Sequence, residues 1–323
     1  MAAAPLLPLL SAVRTGLVHR WKALLCCVLV LSATLFLAQE FRLQRIAAYE
    51  RGLLNQGAVN GDVTQLNLLL RRQEGGDASV DGEIRRIRER MSLRMAVMTG
   101  DRAPLSRYVR ALPISFLLVG LITVLGYLAC FAFVSILFID THIPADAAAR
   151  WAARRLQPLA LTVLLAFLCS MLWVPAIGIA MEHFSVGVLP FGFALVIAGY
   201  AVAIVLGPRL ALAPTLLLLE HRDEAVLSLR HGIAASRGYW GKILGNMLAC
   251  VIGVLLASGI LRMIVHVVLP FAEAELLVRI VTALAATAFL AAFLVELTQT
   301  VVAHPEADDE EDGPVTGPEG ARG

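Results

Sequence analysis

Long apolar runs separated by short charged segments set the pattern of the chain. A membrane-spanning helix needs about 20 mostly apolar residues. Six stretches meet that length, at roughly 22–39, 112–139, 157–181, 186–206, 243–266 and 276–300. The first holds a run from Leu24 to Ala38 without a charge, and strong apolar residues each favour insertion by about 0.3–0.6 kcal/mol. A cleaved leader needs a small-x-small site, which Phe36-Leu37-Ala38 does not supply, so this helix is read as retained.

Between the first two runs the pattern changes. The first helix is expected to continue through Tyr49 to about Leu54, since no breaker intervenes. Asn55 to Gly61 reads as a turn, Asp62 as the cap of a short helix over 63–72, and Gly75-Gly76 as its end. Asp81 is placed to cap a second helix over about 82–98. There Ile84, Ile87, Met91, Met95 and Met98 step by three or four and share one face. Arg85, Arg86, Arg88, Arg90 and Arg94 occupy the remainder. A basic amphipathic helix of this kind either lies on anionic lipid headgroups, which these arginines would contact, or packs on its neighbours with an arginine face in water. Packing is the commoner use of amphipathicity.

Composition agrees with the spans. Of 323 residues, 59% are apolar and 16% charged, against about 45–50% and 25% in soluble domains. That excess does not fit inside one water-soluble core. The expected fold is therefore all-α, a polytopic helical membrane protein with about six transmembrane helices. Residues 1–39 supply a cytoplasmic N-terminus and the first span, 40–111 a small helical extracytoplasmic segment, and 112–303 a five-helix membrane domain. Residues 304–323, with Asp308-Asp309-Glu310-Glu311-Asp312, read as a disordered acidic tail. The Gly- and Pro-rich fourth run (Gly187, Pro190, Gly192, Gly199, Gly207) is expected to be central, because small residues let helices approach closely.

Charge sets the orientation. Arg14, Arg20 and Lys22 precede the first span; Arg150, Arg154 and Arg155 follow the second; Arg209, Arg222, Arg230, Arg237 and Lys242 follow the fourth. The short loops after the third and fifth spans carry no Lys or Arg. The positive-inside rule then puts both termini in the cytoplasm, and the long 40–111 segment, rich in arginine, is outside the rule's reach. A net charge of +2 offers no electrostatic footprint for nucleic acid.

The segment 209–242 carries the most distinctive motif. Pro208 and Pro214 interrupt the fourth apolar run, so 209–220 is expected to lie at the cytoplasmic interface or to re-enter. A short amphipathic helix over 224–236, with Val226, Leu229 and Ile233 on one face, is expected to end near Gly238. Tyr239 and Trp240 follow where an interfacial aromatic belt belongs. Glu220 is placed to pair with Arg237 or Arg209. The pattern Arg209, Pro214, Glu220, Arg237, Gly238, Trp240 and Gly245, with Trp173-Val174-Pro175-Ala176-Ile177 upstream and Gly232 where a Ser is usual, resembles the membrane domain that some relatives fuse to a glycerophosphodiester phosphodiesterase. The resemblance covers about 145–265 and implies a bacterial inner-membrane protein in an envelope or lipid-related role. It does not import the enzyme, since that activity resides in a separate barrel with a His-Arg-Gly motif, whereas here His19-Arg20 is followed by Trp21.

No local signature of catalysis appears. The seven histidines form no H-x-x-x-H or H-E-x-x-H pair, no G-x-S-x-G elbow or P-loop occurs, and the five cysteines lie in apolar runs without C-x-x-C spacing. No cofactor or metal is expected. On span 5 Asn246, Ser258, Arg262 and His266 are polar, and on span 6 Glu296 and Gln299; Arg262 and Glu296 are expected near opposite ends, each snorkelling to its own interface. The expected function is non-catalytic, binding membrane lipids or scaffolding a membrane or cytoplasmic protein partner through 209–242. A transporter or channel using the broken fourth span, or a membrane subunit accompanying a separate phosphodiesterase, are the alternatives.

Overall fold

The structure, a computed structural model, describes residues 6–99, 105–171, 204–220, 224–268 and 271–303. The described elements are helical: α1 (Leu6–His19), α2 (Trp21–Leu53), α3 (Gln56–Glu74), α4 (Asp81–Met98), α5 (Leu105–Ala111), α6 (Pro113–Ile139), α7 (Ala145–Met171), α8 (Ile204–Leu219), α9 (Ala225–Ala235), α10 (Trp240–Val268) and α11 (Ala272–Ala303). A single 3-10 turn, Ala78–Val80, leads into α4. Five of these, namely α2, α6, α7 over Ala145–Cys169, α10 and α11 over Glu273–Ala303, are long and apolar enough to cross a membrane. The chain is an all-α, polytopic helical membrane protein. The expected span 186–206 and the Trp173 to Ile177 motif lie mostly or wholly outside the described residues.

The chain divides into two compact units, residues 1–32 with 125–323, and residues 33–124. Both divisions fall inside helices, α2 and α6, and not at the loop ends where composition changes.

In the first unit α11 is the most buried of the five long helices. Ala291, Ala292 and Phe293 are fully covered, and the helix touches α1, α8 and α10. Alanines on α11 permit these close approaches. The helix α1 had no counterpart in the sequence reading; it buries Leu9 and Val13. Its Gly16 is required by space, because a Cβ there would fall 2.5 Å from the Phe138 ring of α6. Arg20, read above only as a topological charge, donates from Nη1 to the Ile143 carbonyl and from Nη2 to the Asp140 carbonyl, each at 3.4 Å. A cation at the carbonyl end of α6 is favourable for the same reason that helix C-termini attract positive charge.

In the second unit α3 starts earlier than expected. Asn55 caps it by accepting from the Gly57 N–H at 3.1 Å, so Asn55 to Gly61 is not a turn and Asp62 is inside the helix rather than at its cap. Asp81 does not cap α4 either; Val80 holds that position, and Asp81 accepts from Gln73 Nε2 at 2.7 Å. Gly75-Gly76 ends α3 as anticipated, with Gly76 at φ 90°, a conformation that favours glycine.

The buried face of α4 is shifted from the expected one. Ile84 and Ile87 pack with Leu69 and Val80, and Leu93 packs with Leu53 and Tyr108, while Met95 and Met98 are exposed. The stripe bends away from the methionines because Arg94 takes the next inward position. Its side chain donates from Nε to the Leu53 carbonyl at 2.5 Å and from Nη2 to Asp62 Oδ2 at 3.1 Å. Arg94 is 4% and Asp62 8% exposed. One guanidinium thus ties the end of α2 to α3. Nearby, the Tyr108 hydroxyl donates to Glu50; burial, and then the Glu50 carboxylate, push that phenol up to about 12. Removing one partner of a buried ion pair leaves the other charge uncompensated, at about 3–5 kcal/mol. Asp62→Ala should therefore destabilise the protein by about that much in thermal or denaturant unfolding, whereas Glu89→Ala, at an exposed pair with Arg110 3.7 Å apart, should change it by less than about 1 kcal/mol.

Candidate functional site

The segment 204–245 is built around a break. Pro214 starts the second half of α8, Ala213–Leu219, after Leu212. Ala213 through Leu218 are all buried, against α7, α9 and α11. The segment 209–220, expected at the cytoplasmic interface or re-entering, is covered by protein over Ala213–Leu218. The proline-broken part of this apolar run is surrounded by protein, where its backbone irregularity is tolerated. The face of α9 differs too. Ala225, Ser228, Leu229 and Gly232 are buried and Val226 is exposed. Gly232 marks the closest approach, because a Cβ there would lie 2.9 Å from the Arg209 carbonyl.

The predicted motif residues are dispersed in role. Glu220 faces His231, whose Nδ1 is 3.2 Å and 3.3 Å from the two carboxylate oxygens, so a histidine of α9 holds the place assigned to Arg237 or Arg209. The Arg237 and Gly238 positions are exposed, and Gly238 has φ 77° in the turn before α10. Trp240 opens α10 half-buried, and Lys242 stacks on Tyr239 at 5.3 Å. Gly245 is exposed with nothing within 4 Å of a Cβ. A contact missed from sequence joins α8 to α11, where the buried Thr215 and Thr298 hydroxyls are 2.8 Å apart. Each also lies within reach of a carbonyl of its own helix. A hydroxyl has one proton, so one threonine donates across the interface while the other donates to its own backbone.

One opening in the first unit is apolar. A cavity of about 450 Å³ lies among α1, α10 and α11, bounded by Leu6, Leu10, Gly253, Ala257, Ala286 and Phe289. That volume is within the range of small-molecule sites. Ser258 and Thr282 also line it, but their hydroxyls donate to the Leu255 carbonyl at 3.0 Å and the Val278 carbonyl at 2.7 Å. The wall therefore has no side-chain hydroxyl proton to spare and accepts hydrocarbon better than a polar solute. Residues 249–261 lie midway along α10 and 282–289 midway along α11. Among the described residues no group of three or more His, Cys, Asp or Glu is placed to hold a metal.

In the second unit the five arginines of α4 separate onto three sides. Arg94 is internal, which corrects its assignment to headgroups. Arg85 and Arg88 border one opening with Asp81 and Glu89. Arg86 and Arg90 border another with Tyr49 and Arg110.

No family model, curated protein or solved structure matches the chain.

The glycines give opposite expectations. Gly232→Ala should destabilise the protein in spite of alanine's better helix propensity, because the Arg209 carbonyl must move. Gly245→Ala meets nothing and should stabilise by up to about 1 kcal/mol. Thermal unfolding in detergent reads both signs.

Proposed function

We propose that this is a non-catalytic integral membrane protein of a bacterial inner membrane, with its C-terminus cytoplasmic, that binds lipid by taking an acyl chain into the cavity among α1, α10 and α11. The observation that carries the reading is the chemistry of that cavity. It sits at mid-helix on two long apolar helices, its walls are small and apolar, and its hydroxyls are engaged with their own backbone. Burying apolar chain there is worth about 0.8 kcal/mol per methylene relative to water, although a chain arriving from the bilayer gains only packing and shape. The arginine-rich short loops support the orientation. The likeness of 145–265 to the phosphodiesterase-associated membrane domain supports an envelope or lipid-related role.

Gly253 makes the test clean, since a Cβ there meets nothing within 4 Å. Gly253→Phe should place a ring in the cavity and occupy part of it, and glycine's replacement in a helix should not weaken the fold. Native mass spectrometry of protein purified in mild detergent should show tightly retained phospholipid. The Gly253→Phe protein should retain at least about tenfold less of it, equivalent to 1.4 kcal/mol, with unchanged thermal stability. Equal retention by both proteins would remove the cavity as the lipid site.

A further inference from the structure

We infer that the cleft of the second unit between α4 and α5 binds the phosphate of an anionic phospholipid headgroup. The inference rests on the reading of the chain as a lipid-binding membrane protein and uses residues separate from the apolar cavity. The cleft has a volume of about 620 Å³ and is bordered by Tyr49 of α2, Arg86 and Arg90 of α4, and Arg110 of α5. Three guanidinium groups border it against one carboxylate, Glu89. The Glu89–Arg110 pair is 3.7 Å long between exposed side chains, which is weak in water. Arg90 shares Asp62 with the buried Arg94, at 3.3 Å and 3.1 Å, so one positive charge of that trio is left over. Arg86 has no ion pair among the described residues. Guanidinium groups match phosphate oxygens in geometry as well as in charge.

The level of the cleft identifies the source of the phosphate. The apolar helix α6 starts at Pro113, two residues after Ala111, which borders the cleft beside Arg110. The cleft thus adjoins the end of an apolar helix, and the headgroup layer extends about 5–8 Å from the hydrocarbon boundary. Lipid phosphate lies at this height. The other opening on α4 is the natural control, because Arg85 and Arg88 there face two carboxylates, Asp81 and Glu89.

The test uses the full-length protein in nanodiscs with equal amounts of phosphatidylglycerol and phosphatidylcholine, followed by native mass spectrometry of the retained lipids. The wild-type protein should retain phosphatidylglycerol in preference. Arg86→Gln with Arg110→Gln should lower the preference by about fivefold for each arginine, equivalent to about 1 kcal/mol per charge near the headgroups. Both side chains are exposed, and the single Arg86→Gln variant reads the same effect if the double variant does not fold. Arg86→Lys should keep part of the preference, and Arg85→Gln with Arg88→Gln should keep all of it. An equal ratio in the wild type, or an undiminished ratio in the Arg86 and Arg110 variants, overturns the site. Displacement of phosphatidylglycerol by millimolar inorganic phosphate overturns the lipid source and assigns a soluble anion. Gly253→Phe should leave this preference intact, so a failure of the apolar cavity and a failure of this cleft are read separately.

Discussion

Hydrocarbon offers a polypeptide no hydrogen bonds, and that constraint organises the first unit. Every backbone group at membrane depth must find its partner within protein. Side-chain hydroxyls obey the same rule: Thr162, Thr282, Thr287 and Thr298 each reach a carbonyl one turn back. Among the described residues, a break in a helix can be covered by protein. The interrupted α8 is the clearest case, with its post-proline half buried from Ala213 to Leu218. Polar groups so engaged leave walls made of methyl, methylene and aromatic carbon, and the cavity among α1, α10 and α11 inherits that character.

The second unit depends on charge as well as on apolar packing. Its helices α3 and α4 are polar on most of their surface, and their small core of Leu69, Val80, Ile84 and Ile87 is supplemented by the Arg94–Asp62 pair. A buried pair of this kind contributes less to net stability than to uniqueness of arrangement, since misplacing either partner strands a charge. Arg90 shares Asp62 with Arg94 at 3.3 Å. Arg86, Arg90 and Arg110 then gather at a cleft that the helical periodicity of α4 alone does not define.

The long apolar helices were legible because twenty uninterrupted apolar residues have few other outcomes. The continuation of α2 to Leu53, the break at Gly75-Gly76 and the extent of α9 followed from breakers and caps. What escaped was decided by tertiary space. The short helix α1 is too brief to register as a span, yet Gly16 and Leu9 make it part of the core. Asp62 had the chemistry of a cap and became the partner of Arg94, thirty-two residues away in sequence. Gly232, one of the departures from the family-like motif, is the closest helix contact of its segment. Of the motif residues, Pro214 and Glu220 are seated against neighbours, while Arg237, Gly238 and Gly245 face outward. Both candidate lipid sites join residues from three helices, and single-helix periodicity carries no signal for such a set.

The account stands on hydrocarbon being the solvent of the exposed apolar faces. Helix α10 states the case most sharply, since Leu255 and Leu256 are 63% and 62% exposed. Nitroxide labels at these two positions, in protein reconstituted into liposomes, report that solvent directly by paramagnetic relaxation. High collision rates with dissolved oxygen and low rates with a water-soluble nickel chelate are the predicted result. The reverse order at both positions would place α10 in water and contradict the membrane fold together with the lipid sites built on it.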